Sequence, residues 1–429
     1  MEILKSTKKL TDRGLIFFNL GIVFLPSAFP LGALFILISL SISFYNNKAN
    51  FLKDKFNYPL LICAGLFISS CINNSINLER FISKEVPELS YSNNEYLINI
   101  WIDLFNWIPF LLAFWGFNFY LNTSKKRLLC AKAIIIGTIP VLISCIGQYW
   151  FGWTEKLSIF NGLIVWYQKD VDVMSGLFSN PNYTGLWLAM TLPFSYFLVL
   201  NTNQIPIKKL TALLISIIIL YVTLMTSSRN ALLGILISSI LLLGKKFLFL
   251  AFVLIFLLIL FYVFSSLFLP SELTKTITEY LPKNLIYKFT RFDITSNLVR
   301  IDMWKISIQA ILNKPIFGWG ASTFIFLYLY YGGLFEGVSP NHSHNFFLEL
   351  AYNYGLPLAV ILTLFILFIF WRVFTKKLSQ IFKDNNIDRA WFASSIVVTI
   401  FFLTDFPYYD GKVSIIFWVL LSGLKSIGD

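Results

Sequence analysis

Only two histidines occur in this 429-residue chain, two positions apart in Asn341-His342-Ser343-His344-Asn345, directly before the apolar run Phe346-Phe347-Leu348-Glu349-Leu350. Histidine is the side chain whose ordinary titration falls near neutral pH, so this stretch holds the chain's candidates for proton transfer. It lies where a long polar connection turns into an apolar helix, which puts the imidazoles at a membrane surface rather than in mid-bilayer. A zinc site fits poorly, because on a helix Ser343 would turn the two rings to different faces and no third nitrogen or thiolate stands nearby. The plain alternative is a hydrogen-bonded packing histidine. Glu349, about one helical turn beyond Asn345, either orients an imidazole or is an interfacial carboxylate.

Fixed positive charge is the second ingredient. Arg229 follows Ser227-Ser228 at the end of an apolar hairpin, where it either snorkels into lipid headgroups or grips an anion bidentately beside helix N-terminal amides that start near Asn230. Arg291 and Arg300 flank Phe292 to Val299, and the competing reading of Arg300 is an exposed ion pair with a neighbouring carboxylate such as Asp302. Pro315-Ile316-Phe317-Gly318-Trp319-Gly320 is a tight glycine turn suited to backbone approach to a ligand, without the strand and helix context of a nucleotide fingerprint. A titratable base with permanent cations at one membrane face suits a substrate that brings a lipid-borne diphosphate and a hydroxyl to be deprotonated.

The elements that must position these groups are membrane helices. The chain is 57% hydrophobic and 13% charged, and apolar runs of about 17 to 25 residues recur along it. Runs such as Phe247 to Leu269 are apolar on every side, which suits a helix in lipid and excludes a barrel strand. The expected fold is an all-α polytopic membrane protein, one integral membrane domain over 1–429. The spans read as Gly14 to Ala28, Leu31 to Tyr45, Tyr58 to Ile72, Ile102 to Leu121, Leu128 to Trp150, Thr184 to Leu200, Leu210 to Thr226, Ala231 to Gly244, Phe247 to Leu269, Phe346 to Phe374, Trp391 to Phe406 and Val413 to Leu424, about twelve in all. The basic N-terminus reads as part of an uncleaved first hairpin, because a second apolar run follows at once.

Charge tests that count. The net charge of +12 would suggest nucleic acid in a soluble protein, but the cations cluster between spans: Lys48, Lys53 and Lys55; Lys125, Lys126 and Arg127; Lys208 and Lys209; Lys245 and Lys246; Arg372 to Arg389. These are alternate connections, so positive-inside topology explains them, no nucleic-acid partner is implied, and both termini are expected in the cytoplasm. Cys63, Cys71, Cys130 and Cys145 lie in or beside apolar runs and read as packing residues. Three opposite connections are long: Asn73 to Trp101, Phe151 to Tyr183, and Pro270 to Asn345. The last contains an expected amphipathic helix, Ile301 to Leu312, with Ile301, Trp304, Ile308 and Ile311 on one face.

Ser228-Arg229 opening a span, Phe178-Ser179-Asn180-Pro181-Asn182, Arg300-x-x-x-Trp304, the glycine turn at 315–320, and His344-Asn345 followed after nine residues by Gly355 together resemble the O-antigen ligase and polymerase superfamily of bacterial envelope glycosyltransferases. The resemblance covers roughly Asn180 to the last span. It implies a GT-C-like fold of about twelve transmembrane helices with a large periplasmic loop, 270–345, between helices nine and ten that carries part of the active site. It implies metal-independent, cofactor-free, inverting transfer of a glycan from undecaprenyl diphosphate to an acceptor hydroxyl at the periplasmic face of the bacterial inner membrane. The acceptor is lipid A core in the ligase branch and a second lipid-linked glycan in the polymerase branch.

By that resemblance His344 is the catalytic histidine, chosen over His342 because the nine-residue spacing counts from it. Arg229 and Arg300 bind the diphosphate, with His342, Asn345, Glu349, Arg291 and Asn182 in support and no metal ligand. The competing class is a transporter, whose charged residues would gather near the bilayer midplane rather than at one face.

Overall fold

The computed structural model describes residues 2–77, 93–161, 164–166, 173–178, 180–201, 205–244, 294–333, 340–383 and 387–429. The expected span at 247–269 and Arg291 lie outside the described residues. The protein is mostly helical. Its first half comprises α1 (Glu2–Phe24), α2 (Phe29–Asn47), α3 (Asn57–Ile76), α4 (Asn93–Asp103), α5 (Ile108–Leu121), α6 (Ser124–Trp150) and a short antiparallel hairpin, β1 (Leu157–Ile159) with β2 (Ile164–Trp166). Then come α7 (Pro181–Leu200), α8 (Pro206–Met225), α9 (Arg229–Leu243), α10 (Ile294–Asn313), α11 (Phe324–Tyr330), α12 (Phe346–Tyr354), α13 (Leu356–Lys383), α14 (Ile387–Thr404) and α15 (Gly411–Gly428).

Among the described residues nine helical segments are long and apolar enough to cross a membrane, from Phe29–Asn50 to Gly411–Gly428, and the chain is a multi-pass membrane protein. Helix α9 is apolar but shorter, at 15 residues. The expected total of about twelve therefore draws, beyond these nine, on α1, on α9 and on residues outside the described set.

Helix α7 is a largely enclosed support of the site, with Leu186 to Met190 and Phe194 buried, and it packs against α8, α9 and α14. Gly185 is what lets α7 and α9 meet: a Cβ there would lie 2.9 Å from the Ser228 Cβ and 3.0 Å from that of Ala231. Small residues serve this purpose in lipid, where close backbone packing replaces the hydrophobic drive. On the outer face Leu213, Leu214 and Ile217 of α8 and Leu364, Leu367 and Phe368 of α13 are exposed, the surface a bilayer would cover. All four cysteines are buried and free, as packing residues should be.

The expected single span from Phe346 to Phe374 is two helices. Gly355, at φ +96°, ends α12, and a Cβ there would lie 2.0 Å from the Ile316 carbonyl oxygen. The glycine turn at 315–320 causes this break. Its Trp319 and Gly320 amides donate to the Tyr352 and Asn353 carbonyls at 2.7 and 2.9 Å, and the Leu356 amide donates back to the Pro315 carbonyl at 2.7 Å. The close backbone approach read from those glycines is thus made to α12, whose last carbonyls it caps, and not to a ligand.

The amphipathic helix exists but is rotated from the expected face. Met303, Ile306, Ala310 and Ile311 are buried, whereas Ile301 and Ile308 are about half exposed. Two polar anchors set the rotation: buried Asp302 accepts from the Tyr328 hydroxyl at 2.8 Å, and Trp319 Nε1 donates to the Ala310 carbonyl at 2.8 Å.

The two ends of the bundle differ in chemistry. At one end the basic connections are tied by Arg127–Asp388 at 2.8 Å, Arg372–Asp429 at 2.9 Å, Lys425 with Asp54, and Arg389 donating to the Leu241 carbonyl at 2.6 Å. At the other, the 173–178 segment is clasped by Gln148 of α6, which accepts from the Ser175 and Gly176 amides at 2.9 Å, and by Lys412 of α15, which donates to the Leu177 carbonyl at 2.7 Å. Both histidines are at this second end.

Candidate active site

The N-termini of α7, α9, α12 and α15 all open at the histidine end, each capped by its own polar residue. Asn180 accepts from the Asn182 amide, Ser228 from Ala231, Asn345 from Leu348, and Asp410 from Lys412 and Val413. Four helix N-termini present positive dipole ends together, an environment that favours anions. Asn345 does double duty, since its Nδ2 also donates to the Leu403 carbonyl at 2.9 Å and so pins the histidine loop to the end of α14.

His344 is held in the left-handed region at φ +54°, an uncommon conformation for a residue with a side chain. There its Nδ1 lies 2.8 Å from Oδ1 of Asp405, the first residue after α14. A carboxylate on Nδ1 fixes the proton on that nitrogen and leaves Nε2 with a lone pair, the form a general base requires. Asp405 also accepts from the Phe406 amide at 2.8 Å and from Asn182 Nδ2 at 3.2 Å. Burial would push its carboxyl up, but the hydrogen bond of His344 and its charge when protonated, the charge of Arg300 and the Phe406 amide hold it below the usual carboxylate value. Asp405 is thus an anion 4% exposed, while the His344 side chain stays 33% open.

Arg300, on α10, is half-buried and close enough for its charge to act on Asp405. Asp302, the nearby carboxylate, is buried and bonded to Tyr328 rather than exposed. Arg229, the half-buried first residue of α9, follows Ser228, and Ser228 touches Gly185 one turn beyond Asn182. Of the sequence-identified residues, Asn182 at the head of α7 and His344 before α12 thus meet at Asp405 at the foot of α14, Arg300 acts on the same carboxylate, and Arg229 heads α9, which packs on α7.

Glu349 does not orient His344. It is 1% exposed and accepts from the Ser343 amide at 2.9 Å, the Ser343 hydroxyl at 3.0 Å, the Tyr352 hydroxyl at 2.6 Å and Asn353 Nδ2 at 3.2 Å. Its contact with an imidazole is with His342, whose Nδ1 lies 3.5 Å from Oε1, an ion-pair distance too long to count as a formed hydrogen bond. Burial draws His342 toward its neutral form, but the contact with Glu349 and the charges of Glu349, Asp405 and Asp103 outweigh it and raise its pKa. Burial acts on Glu349 in the opposite sense and is likewise overcome, by His342, Tyr352 and the Ser343 amide, so its pKa is lowered.

Asp405 was the residue sequence reasoning missed. It fell inside the run read as Trp391 to Phe406, although an aspartate at the end of an apolar span is itself a signal for a functional carboxylate. Asp103, buried at the start of the run Ile102 to Leu121, was absorbed in the same way. Among the described residues no group of three or more histidine, cysteine, aspartate or glutamate side chains is gathered as a metal site would need.

No curated protein matches the chain. A family model does match, over a segment that contains Arg229, Arg300, both histidines and Gly355 and that makes up about a third of the chain. Residues 211–363 match the model described as O-antigen ligase, and that match supports the resemblance to the O-antigen ligase and polymerase superfamily carried by the motifs above.

Proposed function

We propose that the protein is an inverting glycosyltransferase of the ligase type. It would transfer a glycan from undecaprenyl diphosphate to an acceptor hydroxyl, lipid A core in the first instance, at the periplasmic face of the bacterial inner membrane. The observation that carries this reading is the Nδ1 contact of His344 with buried Asp405 in the field of Arg300. An oriented neutral imidazole beside permanent cations is what deprotonation and diphosphate departure both require.

In the proposed step Nε2 of His344 takes the proton of the acceptor hydroxyl. The oxygen forms a new bond to the anomeric carbon, and the bond from that carbon to the diphosphate oxygen breaks from the opposite face with its electron pair. Arg229 and Arg300 take up the charge that collects on the departing diphosphate, the work a divalent cation does in metal-dependent transferases. Asp405 keeps the imidazole in the correct tautomer and stabilises the imidazolium after transfer. Activity is therefore expected to persist in excess chelator. Inhibition that magnesium or calcium reverses would contradict this scheme.

The basic end of the bundle, with both termini, would face the cytoplasm by the positive-inside rule. A polymerase uses the same chemistry with a second lipid-linked glycan as acceptor. Lipopolysaccharide from a deletion strain separates the two: loss of all long chains with accumulated lipid-linked polymer marks a ligase, and core bearing one repeat unit marks a polymerase. Glycan transfer by purified protein in liposomes without any ion gradient tests the enzyme reading itself, and its absence with intact folding would favour a transporter.

A further inference from the structure

A cavity of about 550 Å³ opens on the other side of the histidine loop, within the size range of small-molecule sites. His342 lines it and His344 does not. Among the described residues no lysine or arginine borders it, and its two buried acids there are Asp103 and Glu349, so those walls offer a diphosphate like charge rather than a counter-ion.

Both acids are already committed. Asp103 accepts from Asn106 at 2.7 Å, Trp107 at 3.3 Å, Tyr409 at 3.4 Å and the Tyr354 hydroxyl, and Glu349 holds Ser343, Tyr352 and Asn353. Their work is to fix the wall. What the cavity can offer a ligand is mostly uncharged: the amides of Asn106 and Asn341 and the His342 ring, with the apolar faces of Ile102 and Phe326 opposite. Mixed donors and acceptors beside flat apolar surface suit a ring that carries hydroxyls on its edge and C–H groups on its faces.

Position gives the ligand a role. The His342 ring packs on Tyr409 and Phe406, with centroids 5.1 and 5.9 Å apart, and the Phe406 amide is bonded to Asp405. A partition about one side chain thick thus separates the cavity from the His344–Asp405 pair. We infer that this cavity is a subsite for a neutral saccharide residue, the neighbour of the one whose hydroxyl His344 would deprotonate, and that His342 is a positioning residue in its wall. The sugar's role as acceptor rests on the transferase reading above; the binding of sugar does not.

Asn341→Trp and Ile102→Trp fill the cavity from two walls at exposed positions outside the buried networks. Saturation-transfer NMR on the full-length, detergent-solubilised protein with N-acetylglucosamine as probe should show contact in the wild type and at least a fivefold loss in both variants, with thermal unfolding unchanged. In liposomes the acceptor KM should rise about tenfold at unchanged donor KM, and His342→Gln should raise acceptor KM with kcat near wild type. A purely structural His342 would lower both parameters' performance or neither. No sugar contact in the wild type, wild-type contact in both filled variants, or a rise in donor KM alongside acceptor KM would overturn the assignment. Sugar binding that the variants abolish, in a protein that transfers nothing, would retain the subsite and remove the transferase.

Discussion

Two histidines with a single serine between them make carboxylate contacts that do different things. His344 meets Asp405 at 2.8 Å, and His342 stands off from Glu349 at 3.5 Å. Asp405 has few other donors and lies in the field of Arg300, so its charge is directed at one imidazole. Glu349 is occupied by Ser343, Tyr352 and Asn353, and His342 is one contact among several. The left-handed backbone at His344 turns the two rings apart, one toward the cationic helix ends and the other toward a cavity walled by acids and amides. The lesson is that a motif with two identical titrating groups is decided by the partner each one finds, and both partners here come from distant or buried carboxylates.

The largest effect should come from breaking the tight pair. His344→Ala should lower kcat for glycan transfer by about 10² to 10⁴, the usual contribution of a positioned base, and His342→Ala should cost far less. Single-turnover transfer in liposomes measures both, and the reverse order would exchange the roles of the two rings. Asp405→Asn keeps a hydrogen-bonding group but lets the imidazole take the wrong tautomer, so kcat should fall by about 10² with donor binding retained. An unchanged rate would reduce Asp405 to a packing residue.

The cation side comes next. Arg229→Lys keeps the charge and loses the guanidinium fork, so donor affinity should weaken about tenfold, the scale of one charge-assisted hydrogen bond. Unchanged binding of undecaprenyl diphosphate, read by isothermal titration, would leave Arg229 as a residue that snorkels.

Hydropathy and charge alternation made the membrane class, most helix positions and the gathering of basic connections at one end legible, because length and charge placement are local properties of a span. The break at Gly355 was not legible from hydropathy: Phe346 to Phe374 is mostly apolar on either side of it, and the interruption is held by a turn 35 to 40 positions earlier whose amides cap α12. The rotation of α10 escaped for a similar reason, being set by Tyr328 and Trp319 rather than by the helix's own pattern. At the site, Arg229, Arg300 and the histidines stood out as rare charged or titrating residues. Asp405 and Asp103 were hidden by the apolar runs that carry them, and only the tertiary contacts reveal that Asp405 serves an imidazole while Asp103 holds Asn106, Trp107 and Tyr354.

The smallest effect concerns the looser pair and is read in stability. The raised pKa of His342 gives stability that is fully present below the ordinary value of 6.5 and is lost as pH rises through the raised one. The lowered pKa of Glu349 gives stability that is present above its ordinary 4.5 and is lost as pH falls through the lowered one. The pair should therefore stabilise the protein most between those two ordinary values, with a decline on either side. Thermal unfolding of wild type against His342→Gln across pH 4 to 9 should show the largest difference in that window, about 2 °C, shrinking toward alkaline pH. A difference that instead grows above neutral pH would mean that His342 is held neutral, and the contrast with His344 would then rest on partner geometry alone.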